Sequence, residues 1–225
     1  MGISYGVLNA PVRTGAERAT LVRRTYLLVL AGVVTTILGC LWALSQPSLM
    51  VMVARHPFLT FFASFAPLMG AQAFRRQFPL NIGLTIVFTL IMGVSISPLI
   101  AVMEQRQPGV TGQAALLTLS SFGVLTAYAF ISRRDFSAWG SFFVVGLWVL
   151  IATSLLNMFF QNATASLWIA GATVLVFSGM LVYDTWRIRN QYGPEDYVLA
   201  AVQIYLDLLN LFMAILRLLG GGRRD

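Results

Sequence analysis

Residues 165–219 read ASLWIAGATVLVFSGMLVYDTWRIRNQYGPEDYVLAAVQIYLDLLNLFMAILRLL. Two apolar stretches flank a short polar run in which Gly193-Pro194 stops a helix. Apolar stretches of about 18–25 residues are long enough to cross a hydrocarbon core as helix. Helix is required because lipid offers no partner to free backbone groups, and a barrel strand would alternate apolar with polar positions. The segment therefore reads as a helical hairpin in a membrane. Two aspartates, Asp184 and Asp207, lie inside it.

The same pattern extends back through the chain. Apolar spans are expected at residues 25–44, 58–74, 79–103, 113–132, 136–160, 165–191 and 195–219. The expected architecture is an all-α membrane protein of seven transmembrane helices. It divides into an N-terminal arm at 1–24, a transmembrane domain at 25–219 and a short tail at 220–225. A brief apolar piece at 49–54, cut off by Arg55-His56-Pro57, is too short to cross and should lie near the interface. Glu195 and Asp196 suit the first turn of the last helix, where the helix dipole favours acids.

Composition agrees. The 225 residues are 58% hydrophobic and 10% charged, with a mean hydropathy of +0.78, whereas soluble domains are about a quarter charged. The formal charge of +7 does not point to nucleic acid: lysine is absent, and arginines stand singly or in pairs between spans. That is the spacing of topology signals. Cys40 is the single cysteine, which excludes a disulfide framework within the chain. The first span is too long and too far from Met1 for a cleaved signal peptide.

Arginine placement orients the chain. Arg13, Arg18, Arg23, Arg24, Arg75, Arg76, Arg133, Arg134, Arg187 and Arg189 fall on one side. Arg55, Arg106, Arg217, Arg223 and Arg224 fall on the other. The first side is expected to be cytoplasmic, with the N-terminus inside. Arginine without lysine and very short loops suggest a bacterial inner membrane.

An aspartate at mid-membrane costs about 2.5–3.5 kcal/mol on insertion scales, so Asp184 and Asp207 are functional candidates. In a hairpin turning at Gly193-Pro194 the two differ in depth by about 6 Å, which modest tilt removes. Gln203 and Asn210 share the helix face of Asp207 and are candidates to line a pathway. That polar stripe places the last helix in the bundle interior. Two close carboxylates in a poorly hydrated site cannot both ionise cheaply, so such a pair holds one proton or exchanges it for a cation. Carboxylates suit Ca²⁺, but two of them supply at most about four of the six to eight oxygens it takes, so a calcium ion would be held weakly. A plainer reading stands beside this one. Asp184 pairs with Arg187 at the membrane surface, and Asp207 is a neutral acid bonded to a neighbouring helix.

Other features carry less. His56 reads as interfacial, Asn162-Ala163-Thr164 matches a glycosylation triplet that recurs by chance, and Gly32, Thr36 and Gly39 fit helix packing. No His/Cys metal motif, nucleophile elbow or phosphate loop argues for an enzyme.

Residues 177–188, FSGMLVYDTWRI, and 200–212, AAVQIYLDLLNLF, resemble the Bax inhibitor-1 family of transmembrane proteins. The likeness extends to residues 93–98, GVSISP, and covers nearly the whole chain. The resemblance implies six helices around a central seventh. It also implies, for some bacterial members, a pH-sensitive calcium leak channel gated by an aspartate pair, matched here by Asp184 and Asp207. An arginine that pairs with those aspartates in one state matches Arg75 by ungapped spacing to Pro98. Ser64 stands where some members carry an acid, which bears on ion selectivity more than on the gate. Other bacterial relatives bind and modulate a membrane-bound ATP-dependent protease, and animal and plant relatives suppress cell death by lowering calcium in internal stores. Two readings therefore remain open: a calcium or proton-coupled cation path, and a non-conducting regulator that binds a protease through its arm.

Overall fold

The computed structural model describes residues 15–74 and 77–221, and among these the regular structure is entirely helical. Eight α-helices follow in order: α1 (Gly15–Leu44), α2 (Pro47–Arg55), α3 (Pro57–Ala73), α4 (Leu80–Arg106), α5 (Val110–Ile131), α6 (Trp139–Phe160), α7 (Ala163–Asn190) and α8 (Tyr197–Gly221). A single 3₁₀ turn, Pro194–Asp196, precedes α8. Six helical segments are long and apolar enough to cross a membrane: α1, α4, α5, α6, α7 and α8 with its preceding turn. The expected second span is different. The chain there is a pair, α2 and α3, bent by 97° at His56, and only the two together meet the same measure. Pro47 and Pro57 open the two helices, because a proline N–H is not missed at a first turn. The short piece expected near the interface is thus a separate helix, α2.

Two boundaries differ from expectation. Helix α1 begins at Gly15, inside the polar arm, so the helix runs well beyond its apolar part. Arg and Glu are good helix formers, and hydropathy reports lipid contact rather than helix. Helix α5 begins at Val110, directly after Gly109 in the left-handed region (φ 86°), where the carboxylate of Glu104 accepts from the Gly109 N–H.

Helix α8 lies against α1, α3, α4, α5 and α7. Two thirds (67%) of its central apolar stretch is buried, against 11–39% for the other crossing helices. Helix α6 is its opposite: 11% of its stretch is buried, and it leaves Trp148, Phe159 and Phe160 exposed. Exposed apolar side chains of this size, on a helix this long, are what a lipid-facing surface requires.

Helices α1 and α4 cross at close range. A Cβ at Gly93 would stand 2.0 Å from the Thr36 carbonyl oxygen, and one at Gly39 2.3 Å from that of Leu90. Thr36 Oγ1 lies 3.0 Å from the Thr89 carbonyl and 2.7 Å from the Tyr205 hydroxyl, which ties α8 to the same seam. Small residues permit such close approach, and hydroxyls bond across it.

One end of the bundle gathers the arginine-bearing termini. Arg189 Nη1 donates to the carbonyls of Phe130 (2.7 Å) and Ser132 (2.9 Å), closing the end of α5 that leads to Arg133 and Arg134. The Arg24 guanidinium covers the Tyr197 ring at 5.7 Å, and Asn81 donates to the Tyr197 hydroxyl at 3.3 Å. The start of α1, the start of α4, the end of α5 and the α7–α8 turn therefore share one end.

Candidate functional site

The α7–α8 hairpin follows from local chemistry. Asn162 starts α7 by accepting from the Ala165 N–H at 3.0 Å. Gly193-Pro194 ends it, and the Asp196 carboxylate accepts from the Gly193 N–H at 2.7 Å, fixing the turn into α8. The two helices then run antiparallel, which brings Asp184 and Asp207 together.

Their carboxyl groups meet within hydrogen-bonding reach. Both are buried, Asp184 to 5% and Asp207 to 2% exposure. Oδ2 of Asp207 has no donor among the described residues. A buried polar atom without a partner is rare and calls for an explanation. A proton shared between the carboxyls, a water or a cation would each supply one.

Asp184 has a second partner. Arg187 Nη1 donates to its Oδ1 at 3.1 Å, one turn further along α7. The pairing with Arg187 and the pairing with Asp207 thus hold in one arrangement, although the sequence presented them as alternatives. The guanidinium lies over two tyrosine rings, its Cζ 5.5 Å from the Tyr183 centroid and 4.7 Å from that of Tyr192. The Tyr192 hydroxyl donates to Gln203 Oε1 across the hairpin. From α1, the Tyr26 hydroxyl reaches Thr185 Oγ1 at 3.3 Å, beside Asp184.

The remaining candidates fall as follows. Gln203 is near the pair but engaged by Tyr192. Asn210 turns its amide onto the Leu206 carbonyl of its own helix at 2.8 Å. Arg75 lies outside the described residues. Ser64 is fully buried in α3, donating to the Phe61 carbonyl at 2.6 Å with Met92 Sδ at 3.2 Å. His56 is exposed at the α2–α3 bend. Among the described residues no cluster of three or more His, Cys, Asp or Glu forms, so a cation here would rest on two carboxylates. A cavity of about 350 Å³ opens between α1 and α5 over α8, lined by Val33, Ile37, Leu119 and Phe212 among others; neither aspartate lines it, and its wall is apolar. It offers no path to an ion.

Tyr192 and Arg189 escaped the sequence reading. Arg189 was legible only as a topology charge. The part Tyr192 plays depends on the fold of the turn, which the spacing of charges does not report.

A family model described as "Inhibitor of apoptosis-promoting Bax1" matches residues 18–224. The chain belongs to the Bax inhibitor-1 family. Among its relatives, "Bax inhibitor 1" of Schizosaccharomyces pombe is 34% identical over 208 residues, covering 90% of this chain and 77% of the yeast protein. "Golgi anti-apoptotic protein" of Vaccinia virus is 37% identical over 158 residues, which is 70% of this chain and 65% of the viral protein. The match thus spans just under two thirds of that relative's length. A protein of Campylobacter jejuni, described as uncharacterised, is 31% identical over 208 residues, covering 91% of this chain and 89% of its own length.

Proposed function

We propose that this Bax inhibitor-1 family protein is a cation leak or exchange path, with calcium as the ion, gated by the buried pair Asp184 and Asp207. The observation that carries the reading is the pair itself: two carboxyls close together in a membrane bundle, one oxygen of Asp207 without a donor among the described residues. Burying such a group without function is costly. The chemistry is transport rather than catalysis, since the aspartates hold and release a proton or a cation.

The topology that goes with this function has seven spans, α2 and α3 together forming one, with α8 at the centre. The heavy burial of α8 and its contacts with five helices support this. The arginine-rich end is assigned to the cytoplasm of a bacterial inner membrane, a reading supported by arginine counting and by a bacterial relative of nearly full-length coverage. Arg75 is assigned as an alternative partner of the pair in another state of the gate.

The pH direction follows from the ion pair. An ionised Asp184 holds Arg187 and keeps the site closed; acid neutralises the carboxylate and frees the guanidinium, so flux rises as pH falls. The groups that bear on this are Asp184, Asp207, Arg187, Tyr192 and Asp196. Ca²⁺ influx into liposomes holding the purified protein, from about pH 6 to 8, tests it beside the Asp184→Asn/Asp207→Asn variant. The expected result is a pH-dependent influx flattened in the variant. Absence of influx above empty liposomes at every pH would sink the channel. The chain would then be sought as a regulator of a membrane-bound protease, with deletion of residues 1–24 abolishing binding.

A further inference from the structure

We propose that Arg187, Tyr192 and Gln203 form a clasp that shuts the aspartate pair off from the arginine-rich end of the bundle, with Arg187 as its moving part. This rests on the pair being the gate, and it names what covers that gate.

The geometry is that of a closed mouth. Arg187 stands between the pair and the end of α7, with its side chain only 24% exposed while that of Asp184 beneath it is 6% exposed. Its planar cation lies over the rings of both Tyr183 and Tyr192, and its Nη1 is bonded to Asp184. Nε adds a long contact to Gln191 Oε1 at 3.4 Å. Such ring contacts strengthen where water is excluded. Tyr192 is itself fixed: its ring is 6% exposed, and its hydroxyl donates to Gln203, one turn before Asp207 on α8. Side chains from α7, the turn and α8 thus interlock over the carboxyls. A cation approaching from this end meets a fixed positive charge before it meets an aspartate, and like charge repels it most strongly where water is scarce.

The parts differ in what can release them. Burial pushes the Tyr192 phenol above its usual range, so its proton stays available to Gln203 at any physiological pH. Arginine does not titrate. Only the link to Asp184 responds to protonation. Neutralising that carboxyl leaves Arg187 held by the two rings and the long contact to Gln191, and the clasp opens when the guanidinium moves off the rings.

The test uses the full chain in liposomes with two readouts. The first is Ca²⁺ influx at about pH 8, where the clasp is shut. The second is labelling of Asp184 and Asp207 by a water-soluble carbodiimide with glycine methyl ester, read by peptide mass. Arg187→Gln is expected to raise influx about tenfold, the equivalent of about 1.4 kcal/mol, and to raise labelling of the pair. Tyr192→Phe keeps the ring over Arg187 but loses the bond to Gln203, and should raise both by a smaller factor. Arg187→Lys keeps the charge without the flat, stacking cation, and should fall between wild type and Arg187→Gln. Wild-type influx with Arg187→Gln unchanged in both readouts would overturn the clasp. So would unchanged labelling in every variant. Rising labelling without influx in any protein, wild type included, would uphold the clasp and remove only the conducting function beneath it.

Discussion

The seam between α1 and α4 and the seam between α7 and α8 are both polar, yet they are built on opposite terms. The first joins backbones. Gly39 and Gly93 bring carbonyls of the facing helix to within 2.0–2.3 Å of where a Cβ would sit, and Thr36 bonds to the Thr89 carbonyl and the Tyr205 hydroxyl. The second joins side chains. It sets Asp184 against Asp207, leaves one buried oxygen without a donor among the described residues, and closes with an ion pair and two cation–π contacts. Backbone contacts at that range have one arrangement, whereas long side chains on rotatable stems have several. A frame needs the former and a gate the latter, and α8 belongs to both, through Tyr205 on one side and Asp207 on the other.

The sharpest way to break the comparison is to add one methyl group to the frame. In Gly93→Ala the new Cβ would meet the Thr36 carbonyl at 2.0 Å and the Cys40 nitrogen at 3.0 Å, backbone atoms that cannot turn aside. The helices must part, which costs about 3 kcal/mol or more. The expected outcome is loss of most monodisperse protein in detergent, measured by size exclusion after mild heating. A variant that behaves as wild type would mean that the seam yields. By contrast Asp207→Asn, in the gate, should leave the protein folded and shift the pH response of influx, with Asp184 left as the titrating carboxyl of the pair. Asparagine fills nearly the same space, but its amide cannot shift between charged and neutral forms. An unchanged pH profile would move the sensor elsewhere.

Most of the frame and half of the gate were legible in the sequence. The crossing helices follow from hydropathy, and Gly32, Thr36 and Gly39 announced a close crossing because three- and four-residue spacing puts them on one face. Asp184 and Asp207 were legible because a carboxylate has no ordinary place in an apolar run. What escaped was whatever depends on how an end turns. The break at Arg55-His56-Pro57 was legible, but not the 97° bend there, nor that α2 and α3 reach span length only together. The helical start of α1 at Gly15 lies among charges that say nothing against helix and nothing for lipid. Tyr192 sits in a turn, and its contacts with Arg187 and Gln203 exist only once the hairpin has closed.

Between frame and gate stands Arg189, two residues from the clasp yet devoted to structure. Its guanidinium takes the carbonyl of Phe130, in the last turn of α5, and that of Ser132 just beyond it, which no helical N–H reaches. Arg189→Gln would forfeit hydrogen bonds worth about 1.5–3 kcal/mol when charge-assisted. The melting temperature should fall, while the pH midpoint of influx stays where it is. A shifted midpoint would mean that the end of α5 belongs to the gate.

The smallest effect comes from within the frame. Thr36 Oγ1 has one proton and three neighbours: the Gly32 carbonyl at 2.8 Å, the Thr89 carbonyl at 3.0 Å and the Tyr205 hydroxyl at 2.7 Å. It therefore donates to a carbonyl and accepts from Tyr205. Thr36→Val keeps the shape and removes both bonds, leaving the Tyr205 hydroxyl, on a residue 3% exposed, without this partner. Hydrogen bonds between membrane helices average about 0.6 kcal/mol, so a loss near 1 kcal/mol is expected, read as a small drop in melting temperature. The informative measurement is influx in the same variant. Tyr205 stands two residues before Asp207 on α8. A frame independent of the gate predicts an unchanged pH profile with slightly weaker protein, whereas a shifted profile would show that the α1 seam sets the position of α8, and with it the reach of Asp207 toward Asp184.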